Sequence, residues 1–230
     1  MAKKEKNEGL ANIGATVGKF ELFVEKNNKI IYGVLIGIIV IIGLIVLYFK
    51  FIREPKINEA ANNIFKAEYY VSIDSFKLAL NGDGVFPGFL DIIDDYGSTP
   101  SGNVANYYAG ICYLRLGEFE NAIDYFKSYK SGDPMSASMA IGNIGNAYME
   151  LGNTKEALSY FLKAAKKANN DFLSPFYLLR AGEACELLND NKQALDIYTK
   201  IDKEYFGSQE QRNIEKYIER VKTKIEFQNK

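Results

Sequence analysis

The chain has 230 residues, with 28 basic and 29 acidic side chains and no histidine. Because histidine is the commonest metal ligand and the commonest general base near neutral pH, its absence excludes Ser-His and Cys-His nucleophilic sites and most zinc sites within this chain. Residues 57–230 carry 19 basic against 24 acidic side chains and no basic stripe, which argues against a nucleic-acid partner. We therefore expect no enzyme activity, no catalytic residue, no metal and no cofactor.

The first segment, residues 1–29, is predicted to be a charged tail that contains a short amphipathic helix. Five apolar residues recur at spacings of three and four: Leu10, Ile13, Val17, Phe20 and Val24. Such a helix lies on a membrane surface or docks on a partner's helix. The alternative is a frayed tail with fortuitous periodicity.

Twenty uncharged residues, Ile30 to Phe49, form the next segment, bounded by Lys29 and Lys50. At about 1.5 Å per residue, a helix of this length spans roughly 30 Å, the thickness of a bilayer's hydrocarbon core. No cleavage site of the small-x-small type follows, so an uncleaved transmembrane anchor is predicted. Gly33 and Gly37 form a G-x-x-x-G pattern and are candidates for contact with another membrane helix. The lysines on the two flanks do not fix the orientation.

Residues 50–102 are predicted to hold a juxtamembrane helix and a degenerate leading repeat. The pattern indicates one long helix from Lys56 to about Leu80, a turn at Asn81 to Gly84, and a short helix that ends near Tyr96. A turn is favoured over a calcium site at the "NGDG" sequence, because the ligand spacing of a calcium loop is absent.

The eleven-residue segment "LGEFENAIDYF" is repeated in similar form 35 residues later as "LGNTKEALSYF". Three copies of about 34 to 37 residues align over residues 103–208, which indicates stacked helical hairpins. Each copy has a small residue in its first helix, a break, then an alanine and a ring in its second helix. The small residues are Gly110, Gly145 and Gly182; the alanines are Ala122, Ala157 and Ala194; the rings are Phe126, Phe161 and Tyr198.

The residue types fit a helix-turn-helix hairpin. Glycine or asparagine after a helix adopts the left-handed turn, and Asn153 and Asp190 are predicted to cap the helices that follow. Small residues allow the helices to approach closely, and the rings are expected to fill the space between successive hairpins. Cys112 and Cys185 lie within apolar helical patterns, which favours buried free thiols over a disulfide.

This pattern resembles the tetratricopeptide repeat family. The first copy is most similar to it, with Gly110, Tyr113, Gly117, Ala122 and Phe126 at the family's spacings. The third copy departs from it, with cysteine in place of the aromatic residue and asparagine in place of the turn glycine. The resemblance implies an all-α solenoid of three to four helical hairpins. Residues 209–230 are expected to form a capping helix, with Arg220 on its polar outer face.

In this family the first helix of each hairpin lines a concave groove, so the resemblance implies which residues meet a peptide or a partner protein. Neighbouring lysines are lacking at both groove arginines, which disfavours binding of a C-terminal carboxylate. The alternative for the rings and methionines is that they are core between hairpins. The candidate groove residues are Tyr107, Ile111, Arg115, Met139, Asn143, Asn146, Met149, Phe176, Leu179, Arg180 and Glu183.

The whole chain, a short charged tail, one span and a small repeat domain, resembles the YfgM-like membrane-anchored repeat proteins of bacterial inner membranes. Phrases such as "AEYYVSIDSFKLALNGDG" are similar to the version found in Bacteroidetes-type bacteria. The resemblance implies a cytoplasmic N-terminus and periplasmic repeats. It also implies an ancillary role at the Sec translocon, where the protein receives or chaperones nascent or unfolded clients. The alternative is an anchored scaffold for another envelope assembly or secretion complex.

Overall fold

The computed structural model describes residues 26–228, and this part of the chain contains helices and connecting turns but no strands. It separates into two units, one that ends at Pro55 and one that begins at Lys56. The prediction of an all-α fold is confirmed for the described residues. The amphipathic helix predicted before Lys26 lies outside them.

The first unit contains an apolar helix, α1, over residues 26–48, which continues as a π-helical segment, Phe49–Arg53. Its most apolar stretch has no buried side chains, and within residues 26–228 only the helix that begins at Lys26 is long and apolar enough to cross a membrane. Nothing lies within 4 Å of the position that a Cβ would take at Gly33 or Gly37. Both glycines are therefore accessible to another helix.

The second unit begins with two helices where the sequence predicted a single long one. Helix α2 ends at Ser72, and α3 covers only Phe76–Asn81. Between them Asp74 adopts a φ of 56°, and the Ser75 amide donates to the Tyr70 carbonyl at 2.8 Å. The prediction of one helix to Leu80 was wrong because aspartate, like asparagine, tolerates the left-handed conformation that ends a helix.

Short connections join the helices that follow α1. Their bounds are α2 Glu54–Ser72, α3 Phe76–Asn81, α4 Phe89–Tyr96, α5 Pro100–Leu116, α6 Phe119–Ser128, α7 Pro134–Glu150, α8 Thr154–Ala168, α9 Leu173–Leu187, α10 Asn191–Glu204 and α11 Ile214–Gln228. A 3-10 turn, Gln211–Asn213, precedes α11. Each helix from α3 onward packs on the next, so the core is a continuous row of interfaces.

The turns within the three hairpins have the predicted left-handed residues: Gly117, Gly152 and Asn189 have φ values of 79°, 74° and 58°. Asp190 caps α10 as predicted, since its carboxylate accepts from the Gln193 amide at 3.1 Å. The predicted cap at Asn153 was wrong, because its side chain makes no capping hydrogen bond. The left-handed turn therefore ends these helices whether or not a side chain caps the next one.

Both cysteines are buried free thiols, which confirms the prediction from their apolar surroundings. Burial raises the pKa of Cys112 to about 12 and that of Cys185 to about 11. Each thiol therefore stays protonated, and it acts as a small apolar core group.

Candidate functional site

A ring packed on a glycine holds each of the three hairpins together. A Cβ placed at Gly110 would lie 2.8 Å from the ring of Phe126, and one at Gly145 would lie 2.7 Å from the ring of Phe161. The third hairpin repeats this arrangement with Gly182 and Tyr198. The rings therefore fill space within their own hairpin as well as toward the next one, a more local role than the sequence predicted.

A second contact closes the turn end of each hairpin. Tyr113 stacks on Tyr125 with ring centroids 5.2 Å apart, and Tyr148 stacks on Tyr160 at 5.3 Å. In the third hairpin Cys185 takes the place of the first ring, and its thiol donates to the Gln193 side chain at 3.3 Å. These contacts fix the first helix of each hairpin, and so they fix the surface that those helices expose.

The first helices α5, α7 and α9 line an open groove of about 640 Å³. Six of the eleven predicted groove residues meet there, two from each hairpin: Ile111, Arg115, Asn143, Asn146, Phe176 and Arg180. The rest of the groove wall is formed by Leu114, Gly117, Phe119 and Glu150. Side chains up to 69 residues apart in sequence, from Ile111 to Arg180, thus face the same space, as two repeats of 34 to 37 residues allow.

A hydrogen-bonded ladder of side chains crosses the floor of the groove. Asn146 donates to the Asn143 side-chain oxygen at 3.2 Å, and Arg180 donates to the Asn146 oxygen, also at 3.2 Å. Arg180 also lies 3.6 Å from Glu183 and over the ring of Phe161. The ladder joins α7 to α9 and holds Arg180 in place at the groove wall.

Two more of the predicted residues, Met149 and Glu183, line a second depression of about 490 Å³ beside the groove, and Arg180 belongs to both. Arg220 and Lys224 of α11 form the far wall of this depression. The C-terminal helix therefore extends the concave surface by one element.

Three predicted groove residues lie outside both depressions. Tyr107 is half-buried and packs against Phe126 and Tyr129, with ring centroids 5.7 and 5.2 Å apart. Burial raises the pKa of Tyr107, and a hydrogen bond from Asn143 opposes this rise. Leu179 packs against the C-terminal core, whereas Met139 is exposed. For Tyr107 and Leu179 the contacts are those of the core alternative.

An ion-pair cluster around one largely buried carboxylate, which the sequence reasoning missed, anchors α11. The Glu186 side chain is only 7% exposed, and it accepts two hydrogen bonds from Arg220 and one from Lys224 at 2.8 Å. The Tyr198 hydroxyl donates to the same carboxylate at 2.8 Å. Burial alone would raise the pKa of Glu186, but these hydrogen bonds outweigh it and hold the pKa below its ordinary value.

The placement of Arg220 on a polar outer face was therefore wrong. The available signal was the repeat spacing, since Arg220 follows Glu186 by 34 residues, as Arg180 follows Asn146. By this spacing α11 corresponds to the first helix of a fourth hairpin. Its Arg220 therefore reaches Glu186 of α9, the first helix of the third hairpin.

Comparisons with known proteins support this architecture. Residues 89–137 and residues 139–171 each match a model of the tetratricopeptide repeat. No curated protein matches the chain.

The solved structures that align with this chain include the following two. The first is a crystal structure described as "Podosopora anserina putative kinesin light chain nearly identical TPR-like repeats". It aligns with a TM-score of 0.55 at 10% identity, over 74% of this chain and 88% of that one. The crystal structure of MamA aligns with a TM-score of 0.41 at 18% identity, over 61% of this chain and 91% of that one.

The matched residues include α4 to α8, and the same ring-on-glycine packing continues through α9 and α10. Repeats of this type bind other proteins through the surface formed by their first helices. Residues 89–171 therefore carry tetratricopeptide repeats, a type of repeat that binds other proteins, and the described part of the chain begins with an apolar helix that has the length and composition of a membrane span.

Proposed function

We propose that this chain is a membrane-anchored module that recognises extended polypeptide segments. The observation that carries the proposal is the groove of about 640 Å³, in which three hairpins present side-chain amides, guanidinium groups and apolar rings together. Amides can hydrogen-bond an extended backbone, and rings and aliphatic side chains can hold its apolar residues.

At finer detail, the proposal is an ancillary subunit of the Sec translocon in a bacterial inner membrane. The N-terminus would be cytoplasmic, and the repeats would be periplasmic, where they receive or chaperone emerging or unfolded proteins. The support is the whole-chain resemblance to YfgM-like proteins together with the helix that could span the membrane. In this role Gly33 and Gly37 would face a helix of the channel.

A second candidate is an anchored scaffold for another envelope assembly or secretion complex. Exposed apolar side chains away from the groove, here called the patch, favour it: Phe65 is 73% exposed and Val85 is 82% exposed, and Lys66 lies over the half-exposed rings of both Tyr69 and Phe86. Exposed rings of this kind often mark contact with another protein. A scaffold would use this patch, and the groove would have no client.

Affinity purification of the tagged full-length chain in mild detergent would separate these two candidates. Co-purification of channel subunits in fixed proportion is expected for the translocon subunit. Recovery of a different complex in fixed proportion, without channel subunits, would contradict that role. Substituting Phe65→Ser and Val85→Ser should leave a translocon complex intact but disrupt a scaffold complex.

Client recognition is tested with the double variant Asn143→Ala and Asn146→Ala, which removes the amides from the groove. We expect it to suppress aggregation of an unfolded periplasmic protein less well than the unsubstituted chain. The matched control is Asn62→Ala with Asn121→Ala, because both asparagines are exposed outside the groove. Equal activity of the two double variants would argue against peptide capture.

Topology is read from protease access in spheroplasts. The proposal expects digestion of the repeat domain from the periplasmic side without lysis. If the repeats were protected from the protease until the membrane was broken, the repeats would be cytoplasmic and the proposed orientation would be wrong.

A further inference from the structure

We propose that the groove selects an extended segment in which acidic side chains alternate with apolar ones. This inference deepens the proposed function and rests on it. It concerns the groove formed by α5, α7 and α9, and it names the chemistry of the segment that would lie there.

The residues that line the groove carry proportionally more positive charge than the domain around it. Residues 57–230 carry 19 basic and 24 acidic side chains. The residues that line the groove have an excess of one positive charge, since they include two guanidinium groups, Arg115 and Arg180, and one carboxylate, Glu150; the carboxylate of Glu183 lies 3.6 Å from Arg180 in the adjoining depression. An excess of positive charge within an acidic domain favours a negatively charged ligand at that position.

Both guanidinium groups have hydrogen-bond donors to offer. Arg115 is exposed and makes no ion pair or side-chain hydrogen bond with any residue between 26 and 228. Arg180 forms an ion pair with Glu183 in which the nitrogen and oxygen atoms lie 3.6 Å apart. Both side chains of this pair are about 40% exposed to solvent.

The neighbouring cations are already engaged, which limits the size of the anionic group. Arg220 and Lys224 both bind the carboxylate of Glu186, so they are not free to grip a ligand. The C-terminus of a peptide that ends in an acidic residue carries two carboxylates, which is a larger anionic group than one side-chain carboxylate. The separate guanidinium groups of Arg115 and Arg180 suit single side-chain carboxylates, which a guanidinium binds with two parallel hydrogen bonds.

The rest of the wall suits the apolar part of such a segment. Ile111 and Phe119 lie beside Arg115, and Phe176 lies one turn before Arg180 on α9. Successive side chains of an extended chain point to opposite sides, so alternation brings one kind of residue to the groove floor and the other to its edge. The Asn143 and Asn146 amides lie between the two arginines in sequence and in the groove.

The test measures binding of three fluorescein-labelled probe peptides to the full-length protein in detergent micelles. The peptides have twelve residues, blocked termini and alternating leucine at the centre, and they differ only in having aspartate, asparagine or lysine between the leucines. We expect the aspartate peptide to bind most tightly at low salt. Its advantage over the asparagine peptide should decrease at high salt, because the ionic contacts are partly exposed.

Two substitutions locate the effect. Arg115→Gln should lower the affinity for the aspartate peptide by about two- to fivefold, the range for an exposed ion pair, and leave the asparagine peptide unaffected. Arg115→Glu should make the lysine peptide preferred to the aspartate peptide. Arg212→Gln is the matched control, since this arginine is exposed outside the groove, and it should change nothing.

Equal affinity for the aspartate and asparagine peptides would overturn the inference and leave the proposed function standing. Failure of all three peptides to bind would also overturn it. The proposed function fails by a different result, the equal activity of the Asn143/Asn146 variant and its control against unfolded clients.

Discussion

The ring of Tyr198 lies directly against the Gly182 backbone, so that a Cβ on residue 182 would overlap the ring. Tyr198 is fully buried and its hydroxyl is held by Glu186, so the ring cannot move aside freely. We therefore expect Gly182→Ala to lower the free energy of unfolding. Overpacking costs about 1–3 kcal/mol and the better helix propensity of alanine returns up to about 1 kcal/mol, so a net loss of about 1–2 kcal/mol is expected in urea denaturation.

The control for this prediction is a double-mutant cycle. Tyr198→Leu removes the outer part of the ring, so Gly182→Ala should cost less in that background than in the unsubstituted chain. Equal costs in the two backgrounds would show that the loss comes from some source other than the ring.

Glu186→Gln is expected to weaken the attachment of α11. The substitution leaves Arg220 and Lys224 facing a neutral amide, and it removes the charge from hydrogen bonds that involve a largely buried carboxylate. Loss of one partner costs about 3–5 kcal/mol in a fully buried pair and about 0–1 kcal/mol in an exposed one. Because the two cations are about half-exposed, we expect about 2 kcal/mol.

Hydrogen exchange measures this effect locally. Amides of α11, Ile214–Gln228, should exchange faster in Glu186→Gln, and those of α5 should change less. Glu183→Gln on the same helix is the matched control, because its ion pair with Arg180 is longer and exposed. If both variants loosened α11 equally, the cluster would not be what attaches it.

The same carboxylate predicts how stability depends on pH. The pKa of Glu186 in the folded state lies below its ordinary value of 4.5, so its contribution is fully present above pH 4.5 and is lost as the pH falls through the folded-state pKa. The difference in stability between the unsubstituted chain and Glu186→Gln should therefore be constant near neutral pH and decrease below pH 4.5. A difference that increased on acidification would contradict this assignment.

The repeats could be predicted from the sequence because their packing depends on residue type at fixed spacing. Only a glycine fits beneath the rings of Phe126, Phe161 and Tyr198, and the left-handed turns need glycine or asparagine. These constraints recur in every hairpin, so the sequence carries them three times. The groove then follows from which face of each first helix the rings leave exposed.

What the sequence reasoning missed depends on single side chains with no counterpart in other repeats. The break at Asp74 relies on one aspartate in a left-handed conformation, within a stretch whose apolar pattern continues. The role of Arg220 depends on a carboxylate 34 residues earlier, and helical periodicity alone assigned it to solvent. For Tyr107 the sequence left both a groove and a core position open, and the rings of Phe126 on α6 and Tyr129 in the following turn pack against it as in the core alternative.

Thiol reactivity should report the folding of the core. Burial raises the pKa of Cys112 to about 12 and that of Cys185 to about 11, so little thiolate forms at pH 8 in the folded protein. We expect labelling by an aromatic disulfide reagent to be at least about a hundredfold slower in the folded chain than in urea, since it requires opening of the core. Fast labelling of either thiol without denaturant would contradict its buried position.

Pairing of the membrane span is tested at the two accessible glycines. Gly33→Leu and Gly37→Leu add large side chains to the face where a second helix could approach closely, so we expect both to reduce association of the span in a bacterial membrane reporter assay. Gly43→Leu is the matched control: at about 100° per residue, position 43 lies well off the face shared by positions 33 and 37. Equal loss in all three variants would indicate an effect of side-chain volume on insertion. Loss at 33 and 37 alone would locate the helix contact on that face.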